Sequence, residues 1–250
     1  MQKKIFTRVE FEALRIEAAE KMAADTALIE TARNIKVTAG HKYYYVHQTN
    51  WMGEPCLQLP QDMLAFQEVL FKSRPDYIVE CGVAWGGTLM YFASLLKLFG
   101  GKKIIGIDLF IPDDLRERLT GPRNPLASMI ELINASSVEE STAEVVRRLV
   151  GTASKVMVVL DSDHTHEHVL KELKLYAPLV KKGQYLICGD TIIEYQPPAD
   201  ERPRAWGKGN NPATALREYL KENDGFEVDR ELENKLLMSN MPGGYLRRIR

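Results

Sequence analysis

The chain of 250 residues is short of cysteine, of surplus positive charge and of long apolar runs, and each shortage removes a class of protein. Cys56, Cys81 and Cys188 are odd in number, far apart and without C-x-x-C spacing, which argues against a disulfide framework and against a structural zinc site. They read as buried thiols. Lys and Arg number 33 against 34 Asp and Glu, a formal net charge of −1, so the basic excess that phosphate-backbone binding leaves is missing and no nucleic-acid partner is expected. The start Met1-Gln-Lys-Lys-Ile-Phe leads into charged residues rather than a signal-peptide core, and no run approaches the roughly 18 apolar residues of a membrane span. A cytoplasmic chain without an integral membrane segment is the expectation.

What is present is the balance of a globular α/β protein, 45% hydrophobic and 27% charged. From Val9 to about Arg33, Phe11, Leu14, Ala18 and Met22 recur at helical spacing, which predicts an amphipathic helix that packs on the domain or on a second subunit. Residues His41 to Asp62 are aromatic and irregular, and a helix from about Gln61 to Lys72 follows. After Pro75 short apolar runs alternate with helical stretches, the mark of βαβ units. The predicted strands are Tyr77–Cys81, Lys103–Asp108, Ile130–Asn134, Val156–Leu160 and Tyr185–Cys188, with a helix from His166 to Val180 stopped by Gly183. Leu236–Ser239 and Tyr245–Ile249, joined by Met241-Pro-Gly-Gly, read as an antiparallel pair. The expected fold is thus α/β: a doubly wound, Rossmann-like methyltransferase sheet, mostly parallel with an antiparallel edge, plus an N-terminal helical extension. Residues 1–74 would form that extension and a lid over the cofactor and acceptor, and 75–250 the catalytic domain.

Open α/β sheets bind ligands at the carboxyl ends of their strands. Here the first of these runs into Glu80-Cys-Gly82-Val-Ala-Trp-Gly86-Gly-Thr88, where glycines allow close backbone approach and a helix start offers free N–H groups to a carboxylate such as the methionine end of S-adenosylmethionine. The second ends in Asp108, placed to accept hydrogen bonds from ribose hydroxyls; its plainer reading is a loop carboxylate. The third ends in Asn134-Ala-Ser136-Ser137, suited to an adenine edge or to capping a helix. Strand four finishes in Asp161-Ser-Asp-His164-Thr-His166-Glu-His168. A carboxylate there can hold a cation or the cofactor, while a histidine three residues on takes a proton from a substrate hydroxyl. Asp190 brings a second carboxylate to the same edge, and two acidic oxygens with waters suit Mg²⁺. The alternating histidines also allow a transition-metal cluster or an iron triad, or merely polar residues on a helix's first turn. The segment Glu194 to Asn211, rich in proline and glycine and carrying Trp206, has the length of a functional loop.

From about Trp51 to Arg250 the chain resembles the cephalosporin hydroxylase-like family of methyltransferase-fold proteins and is similar to macrolide-sugar O-methyltransferases. The resemblance is carried by Gln58-Leu-Pro-Gln-Asp62, Pro75-Asp-Tyr-Ile-Val-Glu-Cys-Gly82, Leu160-Asp-Ser-Asp-His-Thr-His-Glu-His-Val169, Asp190-Thr-Ile-Ile-Glu194, Trp206-Gly-Lys-Gly-Asn-Asn-Pro212 and Asp229-Arg-Glu-Leu-Glu-Asn-Lys235. It implies a fold that binds S-adenosylmethionine and Mg²⁺, Asp161 and Asp190 as metal ligands, His164 as the base, and Gln58 near the methionine end of the cofactor. One departure stands out: relatives carry Glu-Asp where this chain has Gly189-Asp190, one carboxylate fewer.

The expected activity is O-methyl transfer from S-adenosylmethionine to a hydroxyl of a sugar or glycoconjugate, with cofactor contacts from Gln58, Glu80, Gly82, Gly86, Thr88, Asp108, Ser136, Ser137 and Asp161. Alternatives are action on a β-lactam or other natural product, an iron oxygenase suggested by the histidine run, and a non-catalytic cofactor-binding partner suggested by Gly189. A homo-oligomer is expected from the N-terminal helix.

Overall fold

The computed structural model describes residues 6–152, 154–198 and 203–250. Two helices open the chain, α1 (Arg8–Ala24) and α2 (Thr26–Tyr43), where the sequence pattern predicts one. The break falls at Asp25, whose backbone leaves the helical region (ψ 85°) and whose carboxylate accepts from the Leu28 N–H, so a residue with capping chemistry ends one helix and starts the next. The second helix runs past Arg33 to Tyr43, and the irregular stretch after it contains a hairpin, β1 (Thr49–Trp51) with β2 (Glu54–Cys56). Its turn residues Met52 and Gly53 both have positive φ, the backbone twist that two-residue hairpins favour.

The remaining elements are α3 (Pro60–Ser73), β3 (Tyr77–Cys81), α4 (Gly87–Phe99), β4 (Lys103–Asp108), α5 (Asp113–Thr120), β5 (Ile130–Asn134), α6 (Glu140–Val150), β6 (Val156–Leu160), α7 (His166–Tyr176), β7 (Tyr185–Cys188), α8 (Pro212–Glu222), β8 (Phe226–Val228), α9 (Arg230–Glu233) and β9 (Tyr245–Arg248). The five parallel strands have the predicted bounds. The seven-stranded sheet has the order β5-β4-β3-β6-β7-β9-β8, in which β9 runs antiparallel between β7 and β8. Alternate residues feed opposite faces. Ile78, Ile104, Met157, Val159, Tyr185 and Ile187 join the core under α3, α4 and α5. Val79, Cys81, Ile105, Ile107, Val158, Leu160 and Leu186 join the core under α6, α7 and α8. A sheet covered on both sides explains strands that are apolar throughout. All three cysteines are buried and free, as expected.

Leu236–Ser239 is not a strand. Its Ser239 hydroxyl (2.6 Å) and the following Asn240 N–H (2.8 Å) donate to the fully buried Asp62 carboxylate at the head of α3, so this segment satisfies a buried charge rather than a β ladder. The Met241-Pro-Gly-Gly turn is real but delivers the chain into β9, and the partner strand is the earlier Phe226–Val228. Among the described residues no helix is long and apolar enough to cross a membrane.

Candidate active site

Chain order reverses beside β3: β4 lies on one flank and β6 on the other, and the crevice at their carboxyl ends is where such sheets bind ligands. The Gly82 N–H bonds to Ile107 and the Asp161 N–H to Cys81, each 2.8 Å, so the ladder holds the three strand ends together up to the crevice. Gly82 has φ +97°, and a Cβ there would lie 2.1 Å from the Asp161 carbonyl oxygen. Only glycine lets the two backbones converge here. Ala84, two residues on, holds φ +47°, an uncommon conformation for a residue with a Cβ and one that clusters at functional sites.

Glu80 is buried at the end of β3 and bonds to Thr88 in the first turn of α4, while its Oε2 has no partner. Burial pushes its carboxyl up to about 8, the Thr88 hydrogen bond opposes this, and the charge of Asp161 adds to it. Asp108 accepts from the Val83 N–H (2.9 Å) and Ala84 N–H (3.3 Å) through one oxygen and from the Phe110 N–H (3.1 Å) through the other. It therefore fixes the glycine turn, and Oδ1, with one donor against two at Oδ2, keeps a lone pair for a further hydrogen bond. The loop-carboxylate reading of Asp108 holds, and the ribose reading is compatible with it.

Of the three alternating histidines, only His164 enters the crevice. Its Nε2 lies 3.3 Å from Asp190 Oδ2, and its ring meets Trp206 edge-on at 5.0 Å between centroids. His166 turns to Thr214 (2.8 Å) and Glu218 (3.2 Å) on α8. His168 packs one turn along α7 against the fully buried Glu172, 3.3 Å away. The spacing of three residues from Asp161 already singles out His164 in the sequence. Burying Glu172 beneath α7 draws His168 inward, and the α7–α8 contact captures His166.

Asp161, His164 and Asp190 can each place a ligand atom within 4.8 Å of the others. Gln58, from the segment before α3, donates through Nε2 to Asp161 Oδ2 at 2.8 Å, and its own Oε1 is buried without a partner. Burial pushes the Asp161 carboxyl up to about 7, with Asp190 adding to the rise and His164 and Gln58 restraining it. A buried carboxylate raised by its neighbour is one that gains from a cation. Two carboxylates fit a hard divalent ion that keeps part of its water shell, and the imidazole is placed either to join them or to act on a substrate proton. Gly189 sits against this group: a Cβ there would lie 2.6 Å from Asp161 Oδ1. Asp190 itself takes φ +47°, which short acidic residues tolerate.

Ser137 is buried, and its hydroxyl donates to Glu172 at 2.5 Å and lies 3.1 Å from His168. Ser136 is part-exposed at the end of β5, and its carbonyl accepts from the Glu139 N–H (3.3 Å), the start of the turn into α6. Gly86 has φ +82° and precedes α4. The loop carrying Trp206 is tied down by Glu194, which accepts from the Gly209 N–H (3.0 Å) and the Asn211 side chain (2.6 Å), and by Asn210, which accepts from the first N–H of α7 (2.9 Å). Residues 199–202 of that loop lie outside the described residues. Sequence reasoning missed Glu172 and Asp62. Each is an acid on the apolar side of a helix, and that misplacement was the available signal.

The family model for rhamnosyl O-methyltransferase/CmcI matches residues 43–249. A rhamnosyl O-methyltransferase of Mycobacterium bovis (strain BCG / Pasteur 1173P2) is 32% identical over 214 residues, covering 82% of each chain. The one from Mycobacterium leprae (strain TN) is 31% identical over 215 residues, 82% of this chain and 87% of the relative. A solved CmcI structure with Mg and SAM superposes with a TM-score of 0.57 at 25% identity, covering 82% of this chain and 78% of that one.

Proposed function

The chain belongs to the rhamnosyl O-methyltransferase/CmcI family, and from that premise we propose that it transfers a methyl group from S-adenosylmethionine to a hydroxyl of a rhamnose-like sugar, with Mg²⁺ at Asp161 and Asp190. The observation that carries the reading is the convergence of Asp161, His164 and Asp190 within one crevice beside the glycine turn. The relatives' names supply the sugar, and the CmcI structure supplies the pairing of metal and cofactor.

In this reading Gly82, Gly86, Thr88 and Asp108 cradle the cofactor, with Asp108 facing the ribose and Ser136 the adenine side, while Ser137, its hydroxyl given to buried Glu172, supports that turn from beneath. Glu80 and Gln58 line the methionine end; each has a buried oxygen without a partner, Glu80 Oε2 and Gln58 Oε1, able to accept from an ammonium. Bound S-adenosylmethionine supplies an electrophilic sulfonium methyl, and bound Mg²⁺ would acidify and orient the acceptor hydroxyl. His164 accepts the hydroxyl proton, and Asp190, 3.3 Å from its Nε2, stabilises the imidazolium that results. Gln58 fixes the Asp161 carboxylate by its 2.8 Å bond. Trp206 holds the imidazole from the side and excludes water. Alignment of oxygen and methyl is the main demand of such a transfer, and a rigid crevice at the ends of buried strands meets it.

Of residues 1–74, α3 packs in the core of the sheet domain, and the helices and hairpin before it would serve as the lid over this crevice. Exposed Phe11, Leu14 and Ile16 on α1 support self-association of the chain. The test is isotope-labelled S-adenosylmethionine with simple rhamnosides and other glycosides, with Mg²⁺ and with chelator. Transfer of label to a sugar is expected, and absence of cofactor binding by calorimetry would overturn the reading.

A further inference from the structure

Beside the crevice, α2 and residues 236–242 line a cavity of about 90 Å³ that opens to solvent. Its walls are mostly apolar, from Ile29, Ile192, Leu237 and Pro242, but two groups in the lining are chemically incomplete. Lys36 is only 6% exposed, and its ammonium is balanced at longer range by the carboxylates of Asp190 and Asp62, with no hydrogen bond to it among the described residues. Glu233 is largely buried, and its Oε1 has no partner. A buried donor and a buried acceptor left open in one small space cost stability unless a ligand completes them. Arg33, also in the wall, is occupied elsewhere, stacked 3.9 Å over Tyr195.

We propose that this cavity receives hydroxyl groups of the acceptor sugar, with Lys36 donating to one oxygen and Glu233 Oε1 accepting from a neighbouring hydroxyl. The inference rests on the methyl-transfer reading and adds to it where the acceptor is read. Position supports it: Ile192 follows Asp190 by two residues and lines the cavity, so the space shares a wall with the metal-ligand group. Charge supports it as well. Lys36 is already offset by Asp190 and Asp62 and Glu233 by Arg230, 3.7 Å away, so hydrogen-bonding capacity rather than net charge is left for a ligand, which suits a neutral polyol. Burial raises the Glu233 carboxyl to about 7, so near neutrality it can serve as acceptor or donor to a hydroxyl. Lys36 also precedes residue 43, where the family match begins, so half of this recognition comes from outside the matched residues. Acceptor choice is then set by α2 as well as by the shared crevice.

The test uses methyl α-L-rhamnopyranoside as the probe and measures its binding to the full chain in the presence of S-adenosylhomocysteine, beside KM and kcat for methyl transfer. Lys36→Met and Glu233→Leu are expected to weaken rhamnoside binding about tenfold or more and to raise KM accordingly, with S-adenosylhomocysteine affinity unchanged. Ile29→Trp, which fills the cavity from α2 without removing a polar group, is expected to do the same and decides the matter if either polar variant fails to fold. Unchanged rhamnoside affinity in the folded variants would overturn the proposal. A wild-type chain that binds the cofactor product but no rhamnoside would overturn the sugar subsite and leave the methyl-transfer reading standing. One that binds no cofactor product would remove both.

Discussion

The carboxylate of Asp161 lies where a side chain at residue 189 would begin, since a Cβ added to Gly189 would sit 2.6 Å from Asp161 Oδ1 and 2.8 Å from the Leu160 carbonyl oxygen. The missing carboxylate at this position is therefore more than a lost ligand. The glycine is the condition for Asp161 to stand where it does, bonded to Gln58 and grouped with His164 and Asp190.

Gly189→Ala is expected to push Asp161 out of that group. The half-saturating Mg²⁺ concentration for methyl transfer should rise about tenfold or more, the size typical when a metal ligand loses its support. A metal titration of turnover checks this, and an unchanged midpoint would show that Asp161 does not hold the metal.

His164→Ala removes the group assigned to take the acceptor proton. Turnover should fall about 10²- to 10⁴-fold while S-adenosylmethionine binds as before. Full turnover in this variant, measured beside calorimetric binding of the cofactor, would remove His164 from the chemistry.

Glu80 gives the fold a pH dependence. Its folded carboxyl is raised to about 8 by burial, well above the ordinary glutamate value, so the folded state keeps a proton that the unfolded chain releases. That contribution is fully present below about pH 4.5 and is lost as pH rises to 8. Glu80→Gln should melt at a higher temperature than the parent at pH 8 and close to it at pH 4.5, while weakening cofactor binding. Thermal denaturation at the two pH values reads the sign directly.

Phe66→Ala tests the packing beneath the site. Phe66 is fully buried on α3 and stacks 5.2 Å from Phe92 and 6.1 Å from Tyr245, whose hydroxyl bonds Asp62. Loss of about 3–5 kcal/mol is expected in denaturant unfolding.

The five parallel strands were legible because each carries its whole signal locally: a short β-branched apolar run, closed by a small or acidic residue and followed by a helical period. The same runs marked the strand ends, and so named Glu80, Asp108, Asp161 and Asp190 as candidates. The N-terminal helix pair was legible only in part, because Asp25 fits a helix surface as well as a cap. At the C-terminus, Leu236–Ser239 has the composition of a strand, and only the buried carboxylate of Asp62, 177 residues away from Ser239, explains why it is none.

The sequence by itself thus determined the alternating architecture, the parallel strands and which residues stand at their carboxyl ends, since these depend on periods of two and 3.6 residues along the chain. Tertiary structure alone decided what His166 and His168 bind instead, that Gln58 reaches Asp161 across 103 residues, that Gly189 yields its space to Asp161, and that Lys36 closes a cavity with Glu233. Those are contacts between distant segments, set by how helices and loops pack over the finished sheet, and no local pattern encodes them.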